Sequence, residues 1–276
     1  MNSAESEFAS EDESRNSLCD REYCPIFDLC AETFGVHNGS LNSFTLDSLG
    51  DADSNPVIVQ QVIRSNGEGQ SVFLWNAALR LAHLVYKWGS IGTLMNVGRE
   101  SDKTHSTTST PSVSLSVLEL GAGVGVPSII MRRLGARVVA TDIEPATSAL
   151  QRMVELNLED TIVVREFMWG RDEDNFAPTP SNTEHQGPFD IVMVADCLYD
   201  PSLHCVLLDC LWKLSLSGAV VRGHTLVYMA YEERGREMEF FVRASDMGWS
   251  YHQVYPPKGS EVVDDHNVYV YVMLLE

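Results

Sequence analysis

The stretch Val117 to Gly125 reads Val-Leu-Glu-Leu-Gly-Ala-Gly-Val-Gly. An apolar strand ends at Leu120, glycines follow at 121, 123 and 125, and Val126 to Leu134 has a helical pattern with Pro127 in its first turn, where a missing N–H is harmless. Such a strand–turn–helix aims helix N–H groups at whatever lies above the strand. Glycines there let bare backbone approach a ligand closely. The dinucleotide version of this turn is G-x-G-x-x-G, which seats a pyrophosphate. This one is E-x-G-x-G-x-G, with an acid, Glu119, inside the strand. Three later strand ends carry groups that could act with it. Asp142 ends the second strand and can accept two hydrogen bonds from a ribose diol. Trp169 follows the third and can stack on a base, an interaction worth about 1–3 kcal/mol. Asp196 and Tyr199 follow the fourth. Each has a structural alternative: Asp142 as a helix N-cap, Trp169 and Trp75 as core, Asp196 and Tyr199 as the lead-in to a helix at Pro201.

Open α/β sheets bind ligands beyond the carboxyl ends of their strands, near the switch point in strand order, so these groups should converge. The elements that would carry them alternate. Strands are predicted at Ala136–Thr141, Thr161–Phe167, Phe189–Ala195 and Thr225–Tyr231, and helices at Pro145–Leu156, Pro201–Leu216 and Glu232–Met247. Trp249–Tyr255 and Val268–Leu275 read as a terminal antiparallel pair. The pattern predicts a doubly wound, Rossmann-like α/β fold with a parallel sheet and helices on both faces. Upstream, Pro56–Arg64 and Ser71–Leu74 flank a Ser-Asn-Gly-Glu-Gly turn and predict a β-hairpin, followed by a helix from Trp75 to Trp88. The domain reading is an acidic tail at 1–21, an extension at 22–115 with hairpin, helix and a flexible insertion, and the main domain at 116–276. A second loop insertion spans Arg171–Pro188.

The 276 residues carry 19 basic and 39 acidic side chains, a net charge of −20. That surface repels phosphates, which argues against a nucleic-acid substrate and suits a basic protein partner, with solubility as the alternative reason for the acidity. The tail to Arg21 is Ser-, Glu- and Asp-rich and reads as disordered. Of six cysteines, Cys19, Cys24 and Cys30 lack the spacing of common zinc pairs, so no metal is expected. Cys205 and Cys210 fall in an apolar helical pattern and read as packing residues. With no membrane-length apolar run and no signal peptide, the expected location is the cytoplasm, with the nucleus open.

Three features together resemble the protein-lysine branch of the seven-β-strand S-adenosylmethionine (SAM) methyltransferases. These are Leu74-Trp75-Asn76-Ala77-Ala78-Leu79 after the hairpin, the Glu119-to-Gly125 turn with Thr141-Asp142 downstream, and Ala195-Asp196-Cys197-Leu198-Tyr199, which matches a D-x-x-Y motif. Tyr231-Glu232-Glu233-Arg234 with the Phe240-Phe241 helix fits the same branch. The resemblance covers about Pro56 to Glu276 and leaves out the first fifty residues and both insertions. It implies a seven-stranded sheet and SAM as cofactor, bound by Trp75, Glu119, Gly121, Gly123, Gly125, Asp142, Trp169 and Ala195. SAM has no phosphate, and an acidic surround suits its cationic methionine end. Asp196 and Tyr199 would be the catalytic pair, with Asp196 orienting the incoming amine and Tyr199 or Tyr231 stabilising the methylated ammonium. The implied partner is a protein substrate, a translation factor or chaperone, for a monomeric enzyme. A small-molecule amine methyltransferase of nicotinamide-like specificity, or a non-catalytic SAM-binding interaction module, stands as the alternative.

Overall fold

A computed structural model describes residues 36–40, 43–46, 56–61, 73–88, 94–95, 114–171, 176, 187–258 and 267–276. The tail, Cys19, Cys24, Cys30 and most of both insertions lie outside these residues. Strands β1 (Val36–Ser40), β2 (Ser43–Leu46) and β3 (Val57–Gln60) form a small antiparallel sheet. The main sheet contains β4 (Ser116–Leu120), β5 (Arg137–Asp142), β6 (Val163–Glu166), β7 (Ile191–Ala195), β8 (Leu226–Glu232), β9 (Trp249–Tyr255) and β10 (Val268–Leu275) in the order β6-β5-β4-β7-β8-β10-β9. The first five run parallel, and β10 pairs antiparallel with both β8 and β9. The helices are α1 (Asn76–Trp88), α2 (Val126–Arg133), α3 (Ala146–Leu156), α4 (His204–Leu216) and α5 (Glu237–Asp246).

Strand side chains alternate faces with a period of two, so a strand covered on both faces is expected to be mainly apolar. Every position of β4 and β7 is buried. Val117, Ile191 and Met193 join one core with α1, α2 and α3, whereas Leu118, Leu120, Val192 and Val194 join the other with α4 and α5. This two-sided packing fixes the sheet and brings the carboxyl ends of its parallel strands to one edge. The order reverses between β4 and β7, which is where a ligand crevice is expected.

Two differences from the sequence reading go beyond small shifts at element ends. The N-terminal hairpin is present, but β3 pairs with β2 (Phe44 opposite Val59, Leu46 opposite Val57), and Phe73–Leu74 is not a strand. The other edge of β3 is occupied by a side chain: Asn157 Oδ1 accepts from the Ile58 N–H and Nδ2 donates to the Ile58 carbonyl, both at 2.8 Å. A primary amide has the donor and acceptor of a peptide group, so it substitutes for a strand partner. The second difference is at α5, which begins at Glu237 and not at Glu232. Gly235 sits at φ 99°, outside helical geometry, and the buried Glu237 carboxylate accepts the backbone N–H groups of Arg234, Gly235 and Arg236 at 2.9, 2.9 and 3.0 Å. The loop so tied carries Arg234 back over the sheet edge. No helix among the described residues is long and apolar enough to cross a membrane.

Candidate active site

A cavity of about 430 Å³ opens at the carboxyl ends of the parallel strands, within the usual size range of small-molecule sites. Its wall includes Trp75, Gly121, Gly123, Asp142, Trp169, Ala195, Asp196 and Tyr199. Residues spread over more than a hundred positions meet there because each follows, or ends, an element anchored in the two cores.

The glycine turn is held by backbone bonds from Ala122 N–H to the Thr141 carbonyl (2.9 Å) and from Gly125 N–H to the Ala122 carbonyl (2.8 Å). Gly121, Gly123 and Gly125 all have positive φ (64°, 55° and 72°), which L side chains rarely adopt. A Cβ on Gly121 would stand 2.6 Å from Cys197 Sγ and 3.4 Å from the Trp169 ring. The Asp142 carboxylate accepts the Gly123 N–H and the Ile143 N–H, both at 2.8 Å. It does not cap the next helix, whose N-cap is Pro145 without a side-chain bond. A carboxylate offers about four acceptor positions, so two remain for a ligand. Burial pushes the Asp142 pKa up to about 6, against the effect of the two N–H bonds.

Glu119 and Gly125 are not part of the wall. Glu119 lies one strand position out of phase with Leu118 and Leu120, so its side chain points under α2, where it accepts the Ser128 hydroxyl. Complete burial pushes its pKa up to about 8, opposed by that hydrogen bond, so it is mainly the neutral acid at pH 7. It supplies no negative charge to a ligand. Gly125 is the N-cap of α2, and a Cβ there would run into Leu150 of α3. Both residues support the turn from behind. Tyr231 is also displaced from its expected role: it is buried in the core beneath α5, with its ring stacked on Tyr269 and Tyr271. Of the two cysteines read as packing residues, Cys210 is buried and Cys205 is exposed.

Asp196 follows β7 in the left-handed region at φ 55°, a conformation that Asp tolerates better than most residues. Its side chain is 2% exposed and pairs in a fork with Arg234: Nη1 to Oδ1 at 2.8 Å and Nη2 to Oδ2 at 2.9 Å. The Glu232 N–H adds a longer bond of 3.3 Å to Oδ1. Asp196 is therefore not the bare acceptor that the motif implied. It is not a cap either, since Asp200 accepts the Ser202 N–H at the start of the short 3₁₀ turn Pro201–Leu203. Tyr199 is half exposed at the mouth, and burial followed by neighbouring acidic groups raises its pKa. Burial likewise raises the Cys197 thiol well above its ordinary value, so it stays protonated and unreactive.

Arg234 is the wall residue whose role sequence reasoning missed. Its quartet after β8 was visible, but its pairing with a residue 38 positions earlier was not. Ile143, Met168, Leu203 and Val206 add an apolar lining; Leu203 ends the turn before α4 and Val206 lies in the first turn of α4, where no local pattern marks them.

Comparison with known proteins gives the family of the chain. Residues 53–246, well over half of the chain, match a family described as lysine methyltransferase. Protein N-lysine methyltransferase METTL21A of Mus musculus is 36% identical over 110 residues, covering 38% of this chain and 47% of that protein. Protein N-terminal and lysine N-methyltransferase EFM7 of Gibberella zeae is 28% identical over 157 residues, covering 50% of this chain and 58% of that protein. The chain thus spans about half the length of the curated relatives it matches. A solved SAM-dependent methyltransferase from Agrobacterium tumefaciens overlaps 86% of this chain and 71% of its own at TM-score 0.48 and 12% identity. A glycine turn joined to a strand-end acid, a D-x-x-Y segment on the same cavity, and a match across residues 53–246 lead to one conclusion: the chain belongs to the lysine methyltransferase family.

Proposed function

We propose that this protein is a SAM-dependent N-methyltransferase acting on a protein lysine. The observation that carries the reading is a single cavity with the glycine turn and Asp142 on one part of its wall and Asp196, Tyr199 and Arg234 on another. The residues present fit the cofactor. Asp142 has two acceptor positions left for a ribose diol, Gly121 and Gly123 bring bare backbone to the cavity wall, and Trp75 and Trp169 line the same cavity. When bound, SAM supplies a sulfonium methyl group that a neutral amine can take.

The protein's part is positioning. The apolar lining excludes water, and a lysine with an ordinary pKa of about 10.4 loses its proton more readily when desolvated. Tyr199 stands where its ring can face the cationic product. Acidity of the chain suits a basic segment of a protein substrate, and a translation factor or chaperone is the substrate class that the family resemblance supports.

Incubation of the recombinant chain with radiolabelled SAM and a cell extract tests this. A discrete labelled protein whose label maps to N-methyl-lysine is the expected result. Label confined to small molecules favours the small-amine reading, and SAM binding with no transfer favours an interaction module.

Asp142 makes the binding step pH-dependent. The ionised form accepts the diol, whereas the protonated form gives up an acceptor position. SAM affinity, followed by calorimetry, should therefore be flat above about pH 7 and fall as pH drops through about 6, the Kd rising about tenfold per unit below it as the competent fraction shrinks. Affinity that is level from pH 7 to 4.5 would remove Asp142 from the binding site.

A further inference from the structure

Resting on the lysine-methyltransferase reading, we propose that Arg234 sets the protonation state in which the acceptor amine is held. By occupying the Asp196 carboxylate, it stops the acidic part of the cavity from binding the amine as an ammonium ion.

Arg234 is the one cation among the described residues of the cavity wall. The groups around it are acidic or neutral. Asp196 comes from the end of β7; Glu232, on β8, lies 3.9 Å from Nη2; Glu237, on α5, accepts its backbone N–H. Asn76, on α1, reaches the same Glu232 carboxylate at 3.3 Å. Asp142 from β5 and Asp200 beyond the mouth act on Tyr199, and the raised thiol and phenol of Cys197 and Tyr199 carry no charge at neutral pH.

Remove the guanidinium, and Asp196 faces the cavity with no cation on its described wall. A carboxylate beside an amine favours the charged form and raises its pKa by about 1–3 units. An ammonium has no lone pair to give. For transfer, it must shed one proton to solvent; the freed lone pair then forms the N–C bond as the S–C bond breaks, and sulfur keeps that bond's electrons. Arginine suits the task because it does not deprotonate in proteins, so the compensation holds at every working pH. Its planar fork also fills both Asp196 oxygens, leaving little acceptor capacity to trap an ammonium.

The test uses Arg234→Gln, which can keep a hydrogen bond to Asp196 without the charge, and Arg234→Lys, which keeps the charge without the fork. Three readouts are taken on each: SAM affinity, affinity for n-butylamine at pH 7 as a lysine side-chain probe, and label transfer to the extract protein from pH 6.5 to 9.5. Arg234→Gln should bind n-butylammonium about tenfold more tightly, transfer about tenfold less at pH 7 and regain transfer as pH rises, its midpoint shifted upward by about one unit or more. Arg234→Lys should restore the wild-type midpoint. SAM affinity should change little.

Wild-type protein that fails to bind SAM or label any protein overturns the underlying methyltransferase reading. With an active wild type, unchanged n-butylamine affinity and an unchanged midpoint in Arg234→Gln overturn this inference alone. Faster transfer by Arg234→Gln at pH 7 also overturns it, making Arg234 a plug. A tenfold loss of SAM affinity overturns it too, making Arg234 a cofactor ligand.

Discussion

Gly123→Val is expected to leave a folded protein whose SAM affinity falls by about 10²-fold or more. Gly123 sits at φ 55°, where an L residue costs about 1–2 kcal/mol and a β-branched one strains further. That alone would lower stability modestly. The larger effect is local. The Gly123 N–H holds Asp142 Oδ2 at 2.8 Å, and the residue is part of the cavity wall, so an isopropyl group takes ligand space and a shift of the turn moves the Asp142 carboxylate. Losing hydrogen bonds to a charged group at about 1.5–3 kcal/mol accounts for a factor of about ten to a hundred by itself. Gly125→Ala is the control. Its Cβ would meet Leu150 behind the turn, so it should lower the melting temperature first and affinity only through that shift. Calorimetry with SAM and thermal melts on both variants separate the two effects. Wild-type affinity in folded Gly123→Val would detach the glycine turn from cofactor binding.

The glycine contrast shows what was legible in the sequence. Three glycines at alternate positions are equivalent on paper, and the turn, its strand and its helix were all readable from them. What separates Gly121 and Gly123 from Gly125 is that the first two line the cavity, whereas Gly125 backs onto Leu150, which another helix supplies. The strands were legible for a simple reason: β4 and β7 are buried on both faces, so β7 is an unbroken apolar run and β4 is apolar apart from Ser116 and Glu119. Trp249–Tyr255 and Val268–Leu275 matched residue for residue. Glu119 could have been assigned by the same two-residue period, which puts it on the face opposite Leu118 and Leu120. The β2–β3 pairing and the Asp196–Arg234 fork had no local signal, because each joins segments through tertiary packing, and in β3 the free edge is satisfied by Asn157 at the C-terminal cap of α3.

Asp196→Ala is expected to cut methyl transfer by about 10²-fold or more while SAM affinity stays within a few-fold, because misplacing the nucleophile forfeits the proximity contribution. The Arg234 fork sharpens that expectation. Alanine removes the partner of a guanidinium one-third exposed and puts an ordinary side chain at φ 55°, so the variant should also lose about 1–3 kcal/mol of stability. Asp196→Asn tolerates the left-handed backbone and can accept one of the two guanidinium bonds, but its amide nitrogen then faces the other donor. If Asp196 acts by orienting the amine, directly or through Arg234, asparagine should retain clearly more transfer than alanine. Equal loss in both would make the negative charge itself the requirement, since the charge is what both lack. A purely structural Asp196 gives a third pattern: both variants melt earlier, and transfer per folded molecule is unchanged. Capping no longer competes as an explanation, because Asp200 already accepts the Ser202 N–H where the next turn begins. Melting temperature, SAM affinity and transfer measured on the same two preparations resolve these patterns. Full turnover in stable Asp196→Ala would take the residue out of the catalytic site and leave Tyr199 as the remaining member of the D-x-x-Y pair at the cavity mouth.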